Sequence, residues 1–351
     1  MTETLDATVA TGAKALLNTT TTVTVRPRYE GSNICTWIGF KHVNYLVEEA
    51  VLDHFRSAGL SSRSLYEEFG LGLDIVDLDT RILHAFHLDD TAEAKVVPDT
   101  KDGADTLGFR VTLTIERDGA PVKAVASKVR VSLRPDGYLQ SAEQPPTELA
   151  PYVVQRLGAH LAGTAAETTA HGVAVESADT TALGEGRGTQ AATDPVLARL
   201  VGDTNAFGWK WRIPYPYCHF TERLQMSGYL RQMEEVVDLF LADRGISIRT
   251  LLDDRRWIPV VPHSRIQILE EALMEEDLYT VYTVEDVFKD LTYTSRMDCY
   301  VVRDGVLVQT ATGRITHGYA VIENRRDWSL VNFDDHVVRA LKGEAAPAAA
   351  G

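Results

Sequence analysis

Residues 43–59 read VNYLVEEAVLDHFRSAG, and residues 229–245 read YLRQMEEVVDLFLADRG. In the first, Val43, Leu46, Val47, Ala50, Val51, His54 and Phe55 recur at helical spacing, and in the second Leu230, Met233, Val236, Val237, Phe240 and Leu241 do the same. Each run ends on a glycine, Gly59 or Gly245, as helices commonly do. Both windows therefore predict one long helix with a single buried face. They lie 186 positions apart, and the same offset matches Arg26 with Arg212, Tyr29 with Tyr215, Glu48 with Glu234 and Glu49 with Glu235. The register continues without a gap through Ser61 and Ser247, Arg63 and Arg249, Leu65 and Leu251, and Ile82 and Ile268, to Arg117-Asp118-Gly119 and Arg303-Asp304-Gly305. A tripeptide identity that far along an unbroken register marks a tandem duplication.

Around each helix the pattern is that of strands. A first strand (Thr22–Tyr29; Lys210–Tyr215) precedes it. Gly72–His87, Ala94–Val97, Leu107–Arg117 and Val122–Arg134 follow in the first half, and Trp257–Glu270, Leu278–Val287, Leu291–Arg303 and Gly305–Tyr319 in the second. Asp118-Gly119 and Asp304-Gly305 between strand-like runs predict two-residue hairpins. One central helix with a run of antiparallel strands implies an α+β unit, made twice. The expected boundaries are a disordered N-terminus over 1–22, a first domain over 23–160, a flexible Ala/Thr/Gly-rich linker over 161–203, a second domain over 204–342 and a disordered tail over 343–351.

Composition narrows the function. The chain has 351 residues, of which 44% are hydrophobic, enough for two real cores, and its net charge is −15. That sign argues against a general binder of nucleic acid or of an anionic membrane surface. The three cysteines, Cys35, Cys218 and Cys299, form no CxxC pair, so free thiols in a reducing compartment are expected and a structural metal site is not. No run of apolar residues is long enough to span a bilayer, and the N-terminus carries no basic region before an apolar one, so a cytoplasmic protein is expected.

The stretches YEGSNICTWIGFKHVNYLVEEAVLDHFRSAGL (29–60) and YPYCHFTERLQMSGYLRQMEEVVDLFLADRGI (215–246), with TRILHAFHLDD (80–90) after the first, resemble the hot-dog fold thioesterase family of the 4-hydroxybenzoyl-CoA thioesterase type. The resemblance covers most of both halves and implies a double hot-dog: two tandem units, each an antiparallel sheet wrapped around a long central helix, with pairing into a homodimer as a further expectation. It implies acyl thioester chemistry without a cofactor, on a fatty acyl or 2-enoyl thioester of acyl carrier protein or coenzyme A. The departures from the family pattern are specific. The family's working Asp is Asn33 in the first half and His219 in the second; its His is Trp37 and Arg223; its helix Tyr is Val43 and Tyr229.

Thioester chemistry needs donors aimed at a developing oxyanion and a base for the attacking group. Helix N-terminal amides can supply the donors, and Asn33 and His219 fall just ahead of the two long helices. His219 titrates near neutrality when unperturbed, and Glu222 lies three residues on, so these two are the expected catalytic residues. Asn33 can donate or accept a hydrogen bond but cannot act as a base. It joins Trp37, Arg223 and Tyr229 as an expected substrate-binding residue. With the Asp gone, the chain looks like the hot-dog enzymes of bacterial macrolactam β-amino acid starter pathways. These add glycine across a 2-enoyl thioester and then hydrolyse it, and here Arg223 would hold the glycine carboxylate. A plain acyl thioesterase, an enoyl thioester hydratase or dehydratase, and a non-catalytic acyl-binding module are the alternatives. For docking an acidic carrier protein, Arg244, Arg249, Arg255 and Arg256 are the expected basic cluster. His84 and His87 are read as strand residues on opposite faces, which does not suit a metal.

Overall fold

The computed structural model describes residues 2–139, 144–158, 172–175, 189–190, 194–218 and 220–344. The chain divides into two compact units, the first made of residues 1–166 and 265–271, the second of 167–264 and 272–351.

The first unit opens with helix α1 (Thr2–Asn18) and strand β1 (Thr21–Val25), followed by the long helix α2 (Phe40–Ser57) and the short α3 (Ser62–Phe69). Strands β2 (Leu71–Ile82), β3 (Ala92–Pro98), β4 (Leu107–Arg117) and β5 (Ala120–Pro135) complete it, and the antiparallel sheet runs β1-β3-β4-β5-β2. The apolar stripe of α2 is buried along its length, with Phe55 edge-on to Phe109 of β4 at 5.7 Å.

The second unit repeats this plan. It comprises β6 (Thr189–Gln190), α4 (Pro195–Val201), β7 (Ala206–Arg212), the long helix α5 (Met226–Asp243), α6 (Ile248–Arg255) and β8 (Trp257–Ile268), whose last residues belong to the first unit. Then come β9 (Asp277–Phe288), β10 (Thr292–Arg303), β11 (Val306–Ile322), β12 (Trp328–Val331) and α7 (Asp335–Lys342). Its sheet order is β8-β11-β10-β9-β7-β6, with β12 on β11. Both units are hot-dog units, a long helix against an antiparallel sheet, so the chain is a double hot-dog of the α+β class.

The duplication holds to the residue. Adding 186 to the bounds of α2, α3 and β2 gives those of α5, α6 and β8. Ser61 caps α3 by accepting from the Ser64 amide, and Ser247 caps α6 by accepting from that of Thr250, both at 3.1 Å. The hairpin residues Asp118 (φ 53°) and Gly119 (φ 75°), and Asp304 (φ 52°) and Gly305 (φ 73°), all have positive φ. That is the type I′ geometry that matches the twist of the flanking strands. Arg117 forks onto Asp90 in the first unit, and Arg303 forks onto Glu276 in the second.

Three expectations need correction. Residues 2–18 form a helix rather than a disordered lead, because tertiary contacts hold it: Ala13 and Leu16, three apart, are buried, and His54 of α2 donates through Nε2 to the Leu16 carbonyl at 2.9 Å. The expected linker ends early. Asp194 caps α4 by accepting from the Val196 and Leu197 amides, and both of those side chains are buried; most of 161–203 otherwise lies outside the described residues, as does the tail beyond 344. The strand expected to reach His87 stops at Ile82, which leaves His84 and His87 in the following turn. Among the described residues no helix is long and apolar enough to cross a membrane, and no group of three or more His, Cys, Asp or Glu could hold a metal ion.

Candidate active site

The loops ahead of α2 and α5 are held by the same ladder. In the first unit, the Ile38 amide donates to the Phe86 carbonyl at 2.9 Å, Trp37 bridges His87, and the Leu88 amide donates to the Thr36 carbonyl at 2.7 Å. In the second, Leu224 donates to Ala272 at 2.8 Å, Arg223 bridges Leu273, and Met274 donates to Glu222 at 2.7 Å. Neither long helix has a side-chain cap: Gly39 has no side chain to offer, and that of Gln225 bonds no amide of the first turn. The fold thus delivers two loops, each fixed in backbone and each ending on a helix N-terminus whose partial positive charge no side-chain cap offsets.

In the first unit Asn33 is placed on that terminus. Its backbone amide donates to the Trp37 carbonyl at 2.6 Å, and its side-chain amide lies against Gly39; a Cβ there would sit 3.1 Å from Asn33 Oδ1. Asn33 is exposed, whereas Trp37 is buried, edge-on to the His87 ring at 6.3 Å. His87 lies 3.3 Å through Nδ1 from the Thr36 hydroxyl, and burial pulls its pKa below the ordinary imidazole value although Asp90 opposes the shift. It is therefore neutral near pH 7 and able to accept a proton. The sequence reading missed His87, because it came from a stretch taken for a strand.

In the second unit His219 lies outside the described residues. Glu222 has an exposed side chain, and Arg223 is only 5% exposed. Tyr229 has no exposure at all, and burial drives its hydroxyl pKa well up. Arg223 and Tyr229 therefore meet the protein interior, not solvent. The size of the residues under the helix start is exchanged between the units. A Cβ on Gly31 would meet the His42 ring at 2.7 Å, and a Cβ on Gly228, the counterpart of His42, would meet the carbonyl of Tyr217, the counterpart of Gly31, at 2.9 Å. Each loop keeps one glycine opposite one bulky residue, with different side chains at its mouth.

Glu48, matched with Glu234 by the 186-residue offset, is a further ionisable group of the first unit. Burial, and secondarily the charge of Glu49, raises its pKa from 4.5 to about 7. It lies about 12 Å along α2 from the helix start at 1.5 Å per residue, outside reach of Asn33 within this unit. The signal for it was a glutamate recurring at the same place on both apolar-striped helices. The basic cluster expected to dock a carrier is mostly engaged within its own unit. Arg249 binds Asp253, Arg255 binds Asp334 at 2.7 Å, and Arg244 lies over the Phe240 ring.

No protein-family model and no curated protein matches the chain. Solved structures do. A Lactobacillus plantarum protein provisionally described as an oleoyl thioesterase aligns with a TM-score of 0.54 at 11% identity, over 89% of this chain and 100% of that one. The 12:0-ACP thioesterase from Umbellularia californica aligns with a TM-score of 0.50 at 10% identity, over 89% of this chain and 98% of that one. At such identities the likeness is one of fold, and it extends over both units.

Proposed function

We propose that the protein hydrolyses acyl thioesters. The observation that carries this reading is the exposed Asn33 amide set against the start of α2, where no side chain caps the helix. Donors fixed in that way suit the oxygen of a thioester carbonyl, which gains negative charge as water attacks. His87, neutral and one bridge away from the Asn33 loop, is our candidate for the base that activates the water. The names of the two aligned structures support the reading: one is described as an oleoyl and the other as a 12:0-ACP thioesterase. A fatty acyl chain on acyl carrier protein or coenzyme A is accordingly the substrate we favour. His219 and Glu222 remain our candidates for an equivalent role at the second loop. Addition of glycine to a 2-enoyl thioester is less well supported, since Arg223, the cation it called on, is buried.

The test is thiol release from saturated and 2-enoyl acyl-CoA substrates of several chain lengths, with mass spectrometry of the products with and without glycine. Free acid from both thioesters, independent of glycine, is expected. Asn33→Ala is expected to lower kcat by roughly 100-fold, as loss of one oxyanion donor does, and His87→Gln by a similar factor. If both variants keep full activity while His219→Ala abolishes it, the chemistry belongs to the second loop. Absence of hydrolysis across the series rejects the proposal, and a glycine adduct reinstates the addition.

A further inference from the structure

In the sheet of the first unit Val96, Phe109, Val111 and Val129 are buried on the side of α2, so the residues between them project from the opposite face. That outer face carries Lys95 of β3, Arg110 of β4 and Lys128 of β5, all exposed, and the half-buried Arg130 of β5. Arg110 is the cross-strand partner of Lys128, a spacing of about 5 Å, and Arg130 stands two residues, about 7 Å, further along β5. Lys95 pairs with Thr112, the next residue after Arg110 on the same face.

The second unit has the same pair of cations and neutralises it. Adding 186 turns Arg110 and Lys128 into Arg296 and Arg314, again cross-strand partners. There Arg314 forks onto Glu285 at 2.7 and 3.1 Å, and Arg296 Nε lies 3.0 Å from the buried carboxylate of Asp298. The counterparts of those two acids in the first unit are Asp99 and Thr112. Asp99 is 3.8 Å from Arg110 and is shared with Lys101 at 3.1 Å, while Thr112 has no charge to give. Among the described residues Lys95, Lys128 and Arg130 have no ion-pair partner. Asp77 and Asp79 of β2 pair in register with Arg130 and Lys128, but Arg265 forks onto Asp77 at 2.7 and 3.1 Å and is held by the charge of Asp79 as well. Glu93 borders the patch beyond Lys95. In the second unit the counterparts of Glu93 and Lys95 are Tyr279 and Val281, which pack with Val196 and Leu197 of α4. Like charges set opposite each other cost stability. The second unit shows how this fold offsets them, so folding does not explain the cations left uncovered on the first.

We propose that the outer sheet face of the first unit, through Lys95, Arg110, Lys128 and Arg130, docks an acidic protein surface, that of the acyl carrier protein bearing the substrate. This rests on the reading of the protein as an acyl thioester hydrolase, and it selects carrier protein over coenzyme A as the bearer. Charge complementarity carries the choice. Cations spread over three strands match an array of carboxylates on a protein of similar breadth. At physiological ionic strength charges more than about 8 Å away are largely screened, so such a partner meets the patch rather than the net charge of −15. A nucleic acid duplex or an anionic membrane would extend past the patch onto the acidic remainder of the chain.

The experiment is calorimetric titration of the intact protein with a bacterial acyl carrier protein whose palmitoyl chain is held in amide linkage, so that turnover plays no part. Arg110→Glu with Lys128→Glu is expected to weaken binding roughly tenfold or more at low salt, and the loss is expected to shrink as salt is raised. Arg249→Glu with Arg256→Glu, the same charge change at exposed positions of the second unit, is expected to weaken it less than about threefold. Thermal unfolding checks that each variant is folded. Should the first pair fail to fold, Arg110→Gln with Lys128→Gln removes the charges without adding repulsion and is expected to weaken binding roughly threefold or more. No binding by the native protein, or equal weakening by the two charge-reversed pairs, overturns the proposal. So does tighter binding of phosphatidylserine vesicles or duplex DNA than of the carrier protein. Hydrolysis of palmitoyl-CoA by the native protein, measured alongside, separates the two ideas. Carrier binding without hydrolysis rejects the thioesterase reading alone, and hydrolysis without carrier binding rejects the docking surface alone.

Discussion

Replacing Glu48 by Gln removes an ionisable group while keeping its shape. Glu48 sits on the long helix of the first unit with its pKa raised from 4.5 to about 7 by burial and by Glu49. The folded state therefore holds a proton that the unfolded chain gives up. Below pH 4.5 both states are protonated and the group is neutral in its effect. Between 4.5 and 7 the unfolded state is increasingly favoured by ionisation, and above 7 the penalty on folding is complete. At 1.36 kcal/mol per unit, the full penalty is about 3 kcal/mol. From pH 5 to pH 8.5 the stability of the native sequence should fall relative to Glu48→Gln by about 2.5 kcal/mol. Every other titrating group is common to the two chains and cancels in the difference. Urea unfolding of both at pH 5, 6, 7 and 8.5 measures it. A difference that stays flat across this range, or a variant that is less stable at pH 8.5, refutes the account of Glu48 as a carboxyl ionised at a cost.

Gly31→Ala should destabilise by about 1–3 kcal/mol, since the new Cβ meets the His42 ring at 2.7 Å. In a His42→Ala background most of that cost should vanish, giving a coupling of about 1 kcal/mol or more in a double-mutant cycle read by denaturation. Ser61→Ala and Ser247→Ala should each cost about 1 kcal/mol through loss of a helix cap, and the two should add; a combined cost well short of the sum argues against independent caps.

The backbone plan was legible because it was written twice. Helical spacing, a glycine stop and the Asp-Gly hairpins each gave a local instruction, and agreement between the halves separated instruction from coincidence. α1 escaped because its anchor, His54, lies well downstream in sequence. α4 escaped because a seven-residue helix is too short for its periodicity to rise above an Ala-rich surround. Among the candidate residues, Asn33 was singled out because it stands just before a helix. His87 was not, because a partner brought in by a β-bridge from another part of the chain leaves no local pattern. Tyr229 and Arg223 were read as available side chains because sequence gives the spacing of a residue but not which neighbours close over it.

A duplicated chain also separates what the fold requires from what it tolerates. The serine caps, the positive-φ hairpins, the loop ladders and the forked arginine pairs are kept in both units, so they belong to the scaffold. Trp37 against Arg223, and Phe109 against Ser295, differ at positions whose backbone pairing is the same in both units. A position whose chemistry changes while its geometry is held is released from folding duty and is open to selection for something else. By that criterion the first unit's interior is ordinary apolar packing, and function is to be sought at the two loop mouths and in the polar interior of the second unit. The argument is strongest for that interior. Drift alone would seldom place five polar side chains, Tyr282, Tyr293, Ser295, His317 and Tyr319, at adjoining buried positions and leave the unit folded.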